Sequence, residues 1–138
     1  MLRPISDSDK PIIAEWISKD ADHLAKELNE EFFYRPDGFS FAIADERGPV
    51  MYIKIEPCDA EIVRFHIQFD ERERGRRRTV LALMRDIPTV LDLVKKSNIR
   101  YIVFDSVSET LIRFCQKHFG FVHIADSNDY QLDLKAGP

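Results

Sequence analysis

Glu61-Ile-Val-Arg-Phe-His-Ile-Gln-Phe-Asp-Glu-Arg-Glu-Arg-Gly-Arg-Arg-Arg-Thr-Val80 decides the fold. Its first nine residues alternate and are rich in β-branched and aromatic side chains, which predicts a strand over 61–69. A charged turn with one glycine, Gly75, follows. From Thr79 an apolar helical pattern begins and runs to about Ser97. A strand, a glycine turn and a helix make an anion site. The first amides of a helix have no intrahelical partner and carry the positive end of its dipole. Gly75 lets the backbone approach a ligand with no Cβ in the way. The expected ligand group is a pyrophosphate.

Outward from this stretch the pattern continues in both directions. Leu2–Ile5 reads as a short strand. Asp7 or Ser8 caps a helix with Pro11 in its first turn, and Ile12, Ile13, Trp16, Ile17, Leu24 and Leu28 carry its apolar face to about Asn29. Trp16 belongs to the core. The aromatic loop over 30–38 either lines a substrate cleft or folds back on the core. Strands over 39–44 and 50–56 lead into the 61–69 strand through short turns, an antiparallel meander. Pro88 removes a backbone donor and predicts a kink or break in the helix after Gly75. The apolar run in Asn98–Asp105 predicts a central strand, parallel to the 61–69 strand because a helix joins them. Ser108 caps a last helix and Gly120 ends it. Strands over 121–125 and 130–134 complete one α/β domain over 1–138: a mixed, mostly antiparallel sheet with a central parallel pair, flanked by helices.

Composition narrows the function. The chain has 138 residues, enough for one domain with a real core, and 44% of them are apolar. No apolar stretch approaches the ~20 residues of a membrane span. The two cysteines, Cys58 and Cys115, form no C-x-x-C pair, so reduced thiols and a cytoplasmic setting are expected. The histidines show no metal-ligand spacing, so no metal is expected. Net charge is −4, yet arginines occupy positions 72, 74, 76, 77 and 78. A basic cluster on an acidic protein suits a small anion better than nucleic acid, which wants a broad basic face. A solvated helix start accounts for the same cluster without any ligand.

In this order the elements resemble the GNAT (Gcn5-related N-acetyltransferase) family. Arg72-Glu-Arg-Gly75-Arg-Arg77 is similar to the family's pyrophosphate motif Gln/Arg-x-x-Gly-x-Gly/Ala at its first and fourth positions. Ile67-Gln-Phe-Asp-Glu-Arg72 looks like the lead-in to it, and Phe119-Gly120-Phe121 looks like the family's Leu-Gly-Phe. Three positions depart from the pattern, one of them Glu109, where an Asn is frequent earlier in the last helix. Arg77 stands where Gly or Ala is usual, and Gln116 stands where a Tyr commonly protonates the leaving thiolate.

The resemblance implies transfer of an acetyl group from acetyl-CoA to an amine acceptor, a small molecule or a protein, by direct attack in a ternary complex. It implies that Arg72 and the backbone of Arg74, Gly75, Arg76, Arg77 and Arg78 bind the CoA pyrophosphate. The strand end Phe65, His66 and Ile67 would bond the pantetheine. Glu61 would be the base: it lies eleven positions before Arg72, as in histone-type members, and is followed by Ile62-Val63. Alternation puts it with Val63, Phe65, Ile67 and Phe69, an apolar surround that raises a carboxyl pKa. A solvated strand-end glutamate is the bland reading, and His66 is the other candidate base. Cys115 reads as core. Tyr101 and Tyr130 are candidate replacements for the missing acid. A module that keeps the fold without catalysis is the alternative, and a homodimer is left open.

Overall fold

The computed structural model describes residues 1–73 and 76–135. Seven strands form one sheet: β1 (Leu2–Pro4), β2 (Phe39–Asp45), β3 (Gly48–Pro57), β4 (Ile62–Phe69), β5 (Tyr101–Asp105), β6 (Val122–His123) and β7 (Asp129–Asp133). Their order is β1-β2-β3-β4-β5-β7-β6. Only β4 and β5 run parallel; every other neighbour pair is antiparallel. The meander and the central parallel pair follow the alternation read from the sequence.

Helices cover both faces. On one lie α3 (Arg77–Lys96) and α4 (Glu109–Phe119). Val63, Phe65, Phe69, Ile102 and Phe104 meet Leu83, Ile87, Val90 and Val94 there. On the other lies α1 (Lys10–Ser18), whose Ile13, Trp16 and Ile17 pack with Ala42 and Tyr52. The aromatic loop forms a 3-10 turn over Glu30–Tyr34 and buries Phe32 and Phe33 in this second core. Gly120 ends α4 at φ 83°, a left-handed conformation that glycine adopts without a Cβ penalty. Ser108 caps α4 by accepting from the Leu111 amide at 3.3 Å.

Of the kink or break expected at Pro88 the break does not occur, and the first helix departs from its expected bounds. The proline sits on the exposed side, and buried Leu83, Ile87, Val90 and Val94 bind both halves to the sheet. The single helix expected to reach Asn29 instead stops at Ser18, and a short helix, α2 (Ala21–Ala25), follows. Asp20 causes the break. Its carboxylate accepts from the His23 amide at 3.1 Å as the N-cap of α2 and from Gln68 of β4 at 3.2 Å. Leu24 is consequently exposed. The start of α1 also differs. Ser6 precedes a 3-10 turn over Asp7–Asp9, and the Ser6 amide donates to Asp9 Oδ2 at 2.9 Å.

Asp9 is buried, 1% exposed, between the Arg3 guanidinium, which donates twice at 2.7 and 2.8 Å, and the Tyr52 hydroxyl at 2.6 Å. Arg3 holds the Asp9 carboxyl well below the usual carboxylate range, against its burial. A depressed folded pKa contributes stability that is complete above the unfolded value, about 4, and lost as pH falls towards the folded one. Asp9→Ala is expected to destabilise the fold by about 3–5 kcal/mol in urea titrations at pH 7. Asp9→Asn is expected to flatten the loss of stability below about pH 4.

Candidate active site

β4 and β5 pair for three residues only, Ile62↔Tyr101 to Arg64↔Val103. On its other edge β4 stays paired with β3 without a bulge, from Val63↔Pro57 to Phe69↔Met51. From Phe65 onward β4 is no longer paired with β5, although β5 itself runs on to Asp105. A cleft of about 290 Å³ opens there, between the ends of β4 and β5, the α2 segment and Leu111 of α4. Phe65, His66 and Ile67, expected to bond a ligand along the strand end, line it. A larger groove of about 610 Å³ lies between β1–β3 and the C-terminal half of α3, with an almost wholly apolar lining.

Side chains of β4 alternate about the sheet. Arg64, His66 and Gln68 point to the α1–α2 face, and each is held there. The His66 Nε2 is 3.2 Å from Glu56 Oε1, and its ring stands edge-on to Phe32 at 4.7 Å. Burial pushes the imidazole below its ordinary pKa, opposed by the Glu56 carboxylate. Beside it Lys54, fully buried, donates to the Phe32 carbonyl and to Asp37, both at 2.7 Å. Arg64 donates to Asp105 at 3.2 Å and to both Asp129 oxygens at 2.9 Å. Lys26 reaches from the end of α2 to Asp105 at 2.6 Å, joining the two walls of the cleft.

A second polar group was not foreseen from the sequence. The Gln68 amide nitrogen donates to Asp20 Oδ2 at 3.2 Å and to the Phe69 carbonyl at 2.9 Å. Its oxygen lies 2.5 Å from His23 Nδ1, which is also 3.2 Å from Asp20 Oδ2. The available signal was Asp20 three residues before His23, an N-cap spacing inside an otherwise continuous apolar pattern.

Glu61 is not brought to this cleft. It is exposed, precedes β4 at its paired end, and bonds only through its backbone: its amide to Asp59, its carbonyl to the Arg100 and Tyr101 amides. Five residues of strand, about 16 Å, separate it from His66. The apolar surround expected from alternation is absent because the strand begins one residue later. Tyr101 and Tyr130 are also elsewhere, the first under Arg100 and the second stacked on Phe104. Gln116 is exposed on α4 and does not line the cleft. Burial pushes the Cys115 thiol up to about 12, which keeps it protonated and inert.

Of the arginine cluster, Arg74 and Gly75 lie outside the described residues. Arg76 precedes the first turn of α3 with no side-chain cap, and Arg77 is exposed. Arg72 pairs with Asp70 at 3.0 Å. Arg78 turns away to Asp45, at 2.6 and 2.7 Å, and to the Gly48 carbonyl at 3.1 Å. Among the described residues no group of three or more His, Cys, Asp or Glu is placed to hold a metal ion, and no helix is long and apolar enough to cross a membrane.

No family model and no curated protein sequence matches the chain. Solved structures do. A GNAT-family acetyltransferase from Staphylococcus aureus Mu50 is 17% identical with a TM-score of 0.68, over 98% of this chain and 99% of that one. An aminoglycoside 6'-acetyltransferase type Ii is 15% identical with a TM-score of 0.63, over 100% and 99%. Mutant forms of a spermidine/spermine N-acetyltransferase from Vibrio cholerae are 12% identical with a TM-score of 0.68, over 99% and 94%. At these identities the likeness is one of fold: the chain has the fold of the GNAT acetyltransferases.

The pairing of Arg78 with Asp45 generates a prediction. Arg78→Ala leaves the half-buried Asp45 carboxylate without its main partner and is expected to cost about 1–3 kcal/mol of stability, read as a lower urea midpoint.

Proposed function

We propose that the protein is an acyl-CoA-dependent N-acyltransferase that moves an acetyl group from acetyl-CoA to an amine. The observation that carries this reading is the parting of β4 from β5 beside a cleft lined by both charged and apolar side chains. A pantetheine is an extended chain of amides, and an unpaired strand edge at Phe65–Ile67 offers it amides and carbonyls in register. A thioester held there presents its carbonyl to the α1–α2 face, from which an acceptor enters. The first turn of α3, with Arg76 and Arg77 and the Arg74-Gly75 step before it, is positioned by sequence to take the pyrophosphate. The acyl carbon is attacked directly by the amine in a ternary complex; Cys115, buried and protonated, offers no route through an acyl-enzyme.

The lining of the cleft favours a cationic acceptor. Asp20, Asp22 and Asp105 face Lys26 and Arg64, so carboxylates outnumber cations, and Asp129 adds to them. Such a mouth draws in an ammonium ion and must then deprotonate it. The exposed position of Glu61, away from the cleft, speaks against it as that base. A non-catalytic module that retains acetyl-CoA binding is the second reading, favoured by the lack of any tyrosine among the described residues that line the cleft.

Calorimetry with acetyl-CoA and a free-thiol assay over amines of rising charge test the proposal. Saturating acetyl-CoA is expected to raise the unfolding temperature, and a bulky side chain at Gly75 to abolish that rise with the fold intact. Thiol release is expected with at least one polyamine or aminoglycoside. Glu61→Gln is expected to keep the wild-type rate within about twofold, where a positioned base is worth about 10²–10⁴. Absence of acetyl-CoA binding at millimolar concentration would sink the proposal, and binding without release would leave the module.

A further inference from the structure

His23 is held as a catalytic histidine is held. Gln68 is fully buried, and its amide nitrogen is committed to two acceptors, Asp20 Oδ2 and the Phe69 carbonyl. Its oxygen is therefore the atom that faces His23 Nδ1. Asp20, 3% exposed, presents a carboxylate oxygen to the same nitrogen. Both neighbours of Nδ1 only accept, so the proton of the neutral ring is on Nδ1 and the lone pair is on Nε2. The ring is fixed by two residues, Asp20, which also caps α2 under the His23 amide, and Gln68 from β4, and by His23's own place in that helix. Its side chain is 12% exposed, and it lines the cleft opposite Phe65–Ile67.

From this geometry we infer that His23 is the general base of the acyl transfer, with Asp20 and Gln68 as its positioning residues. The inference rests on the acyltransferase reading of the cleft. Nε2 takes a proton from the ammonium form of the acceptor. The amine nitrogen forms its bond to the thioester carbonyl carbon, the carbon–sulfur bond breaks, and the thiolate of CoA receives the second nitrogen-bound proton. The products are the acetamide, CoA thiol and a protonated His23 that returns its proton to solvent. Asp20 and Gln68 stabilise the imidazolium at Nδ1, as a buried carboxylate does for the histidine of a hydrolytic triad. The other charged groups around the cleft are Asp22 and Lys26 from α2, Arg64 and His66 from β4 and Asp105 from β5. Of the two cleft histidines, His66 is the poorer base, because burial lowers its affinity for a proton and its Nε2 is engaged with Glu56.

Steady-state kinetics of the full chain with acetyl-CoA and the best amine of the panel test this. His23→Gln is expected to lower kcat by about 10²–10⁴ with acetyl-CoA affinity unchanged, and to remove the acid limb of the kcat/KM profile. Added imidazole is expected to restore part of the turnover of His23→Ala, which a merely structural histidine would not show. Imidazole nitrogen NMR of the wild type reads the tautomer without turnover and is expected to find the proton of neutral His23 on Nδ1. A proton on Nε2, or a His23→Gln protein within threefold of an active wild type, would overturn the inference while leaving the acyltransferase reading intact. A large loss in His66→Gln with none in His23→Gln would do the same. A wild type that releases no thiol with any amine overturns the reading and the base together.

Discussion

Everything in this molecule turns on a parallel pair of strands that runs together briefly and then separates. β4 must satisfy one edge against β3 along its whole length and the other against β5 for three residues only. Buried backbone groups without partners are costly, so a strand edge left open in the middle of a sheet marks a place where a ligand or water completes the bonding. The helices follow from it. α3 carries the chain across the sheet so that β5 lies parallel to β4, and α4 closes the far side of the gap through Leu111.

The opposite wall is built by a carboxylate inside the fold. Asp20 interrupts the first helical segment, caps the next and bonds to Gln68 across the sheet. A hydrophobic residue at 20 would let the apolar pattern of α1 continue. The wall of the cleft would then be a helix face, with His23 turned elsewhere. One buried acid thus links a local event, the end of a helix, to the chemistry available at the strand end.

The sequence made the sheet legible because its strands alternate and its turns are short; the parallel pair was readable from the helix between 77 and 96. The strand end Phe65–Ile67 was legible as strand on the same grounds. What it hid were contacts between residues distant in the chain. Position 20 to position 68 is a pairing that no local period encodes. The apolar surround expected for Glu61 is not found because alternation assigns a face, whereas exposure depends on where a strand begins, and β4 begins after it. Of the kink or break expected at Pro88, the break does not occur, because the packing of four buried residues holds both halves of the helix to the sheet.

Lys54 has a bearing on how the aromatic loop is seated. An ammonium with no solvent contact fastens the Phe32 carbonyl and Asp37 to the middle of β3, and it stands 4.1 Å from the centre of the Phe32 ring. The aromatic loop is thereby fastened to the sheet by one buried cation. Removing that ammonium would leave the Phe32 carbonyl and the Asp37 carboxylate without their partner at once, so the seating of the loop and the centre of β3 depend on the same group.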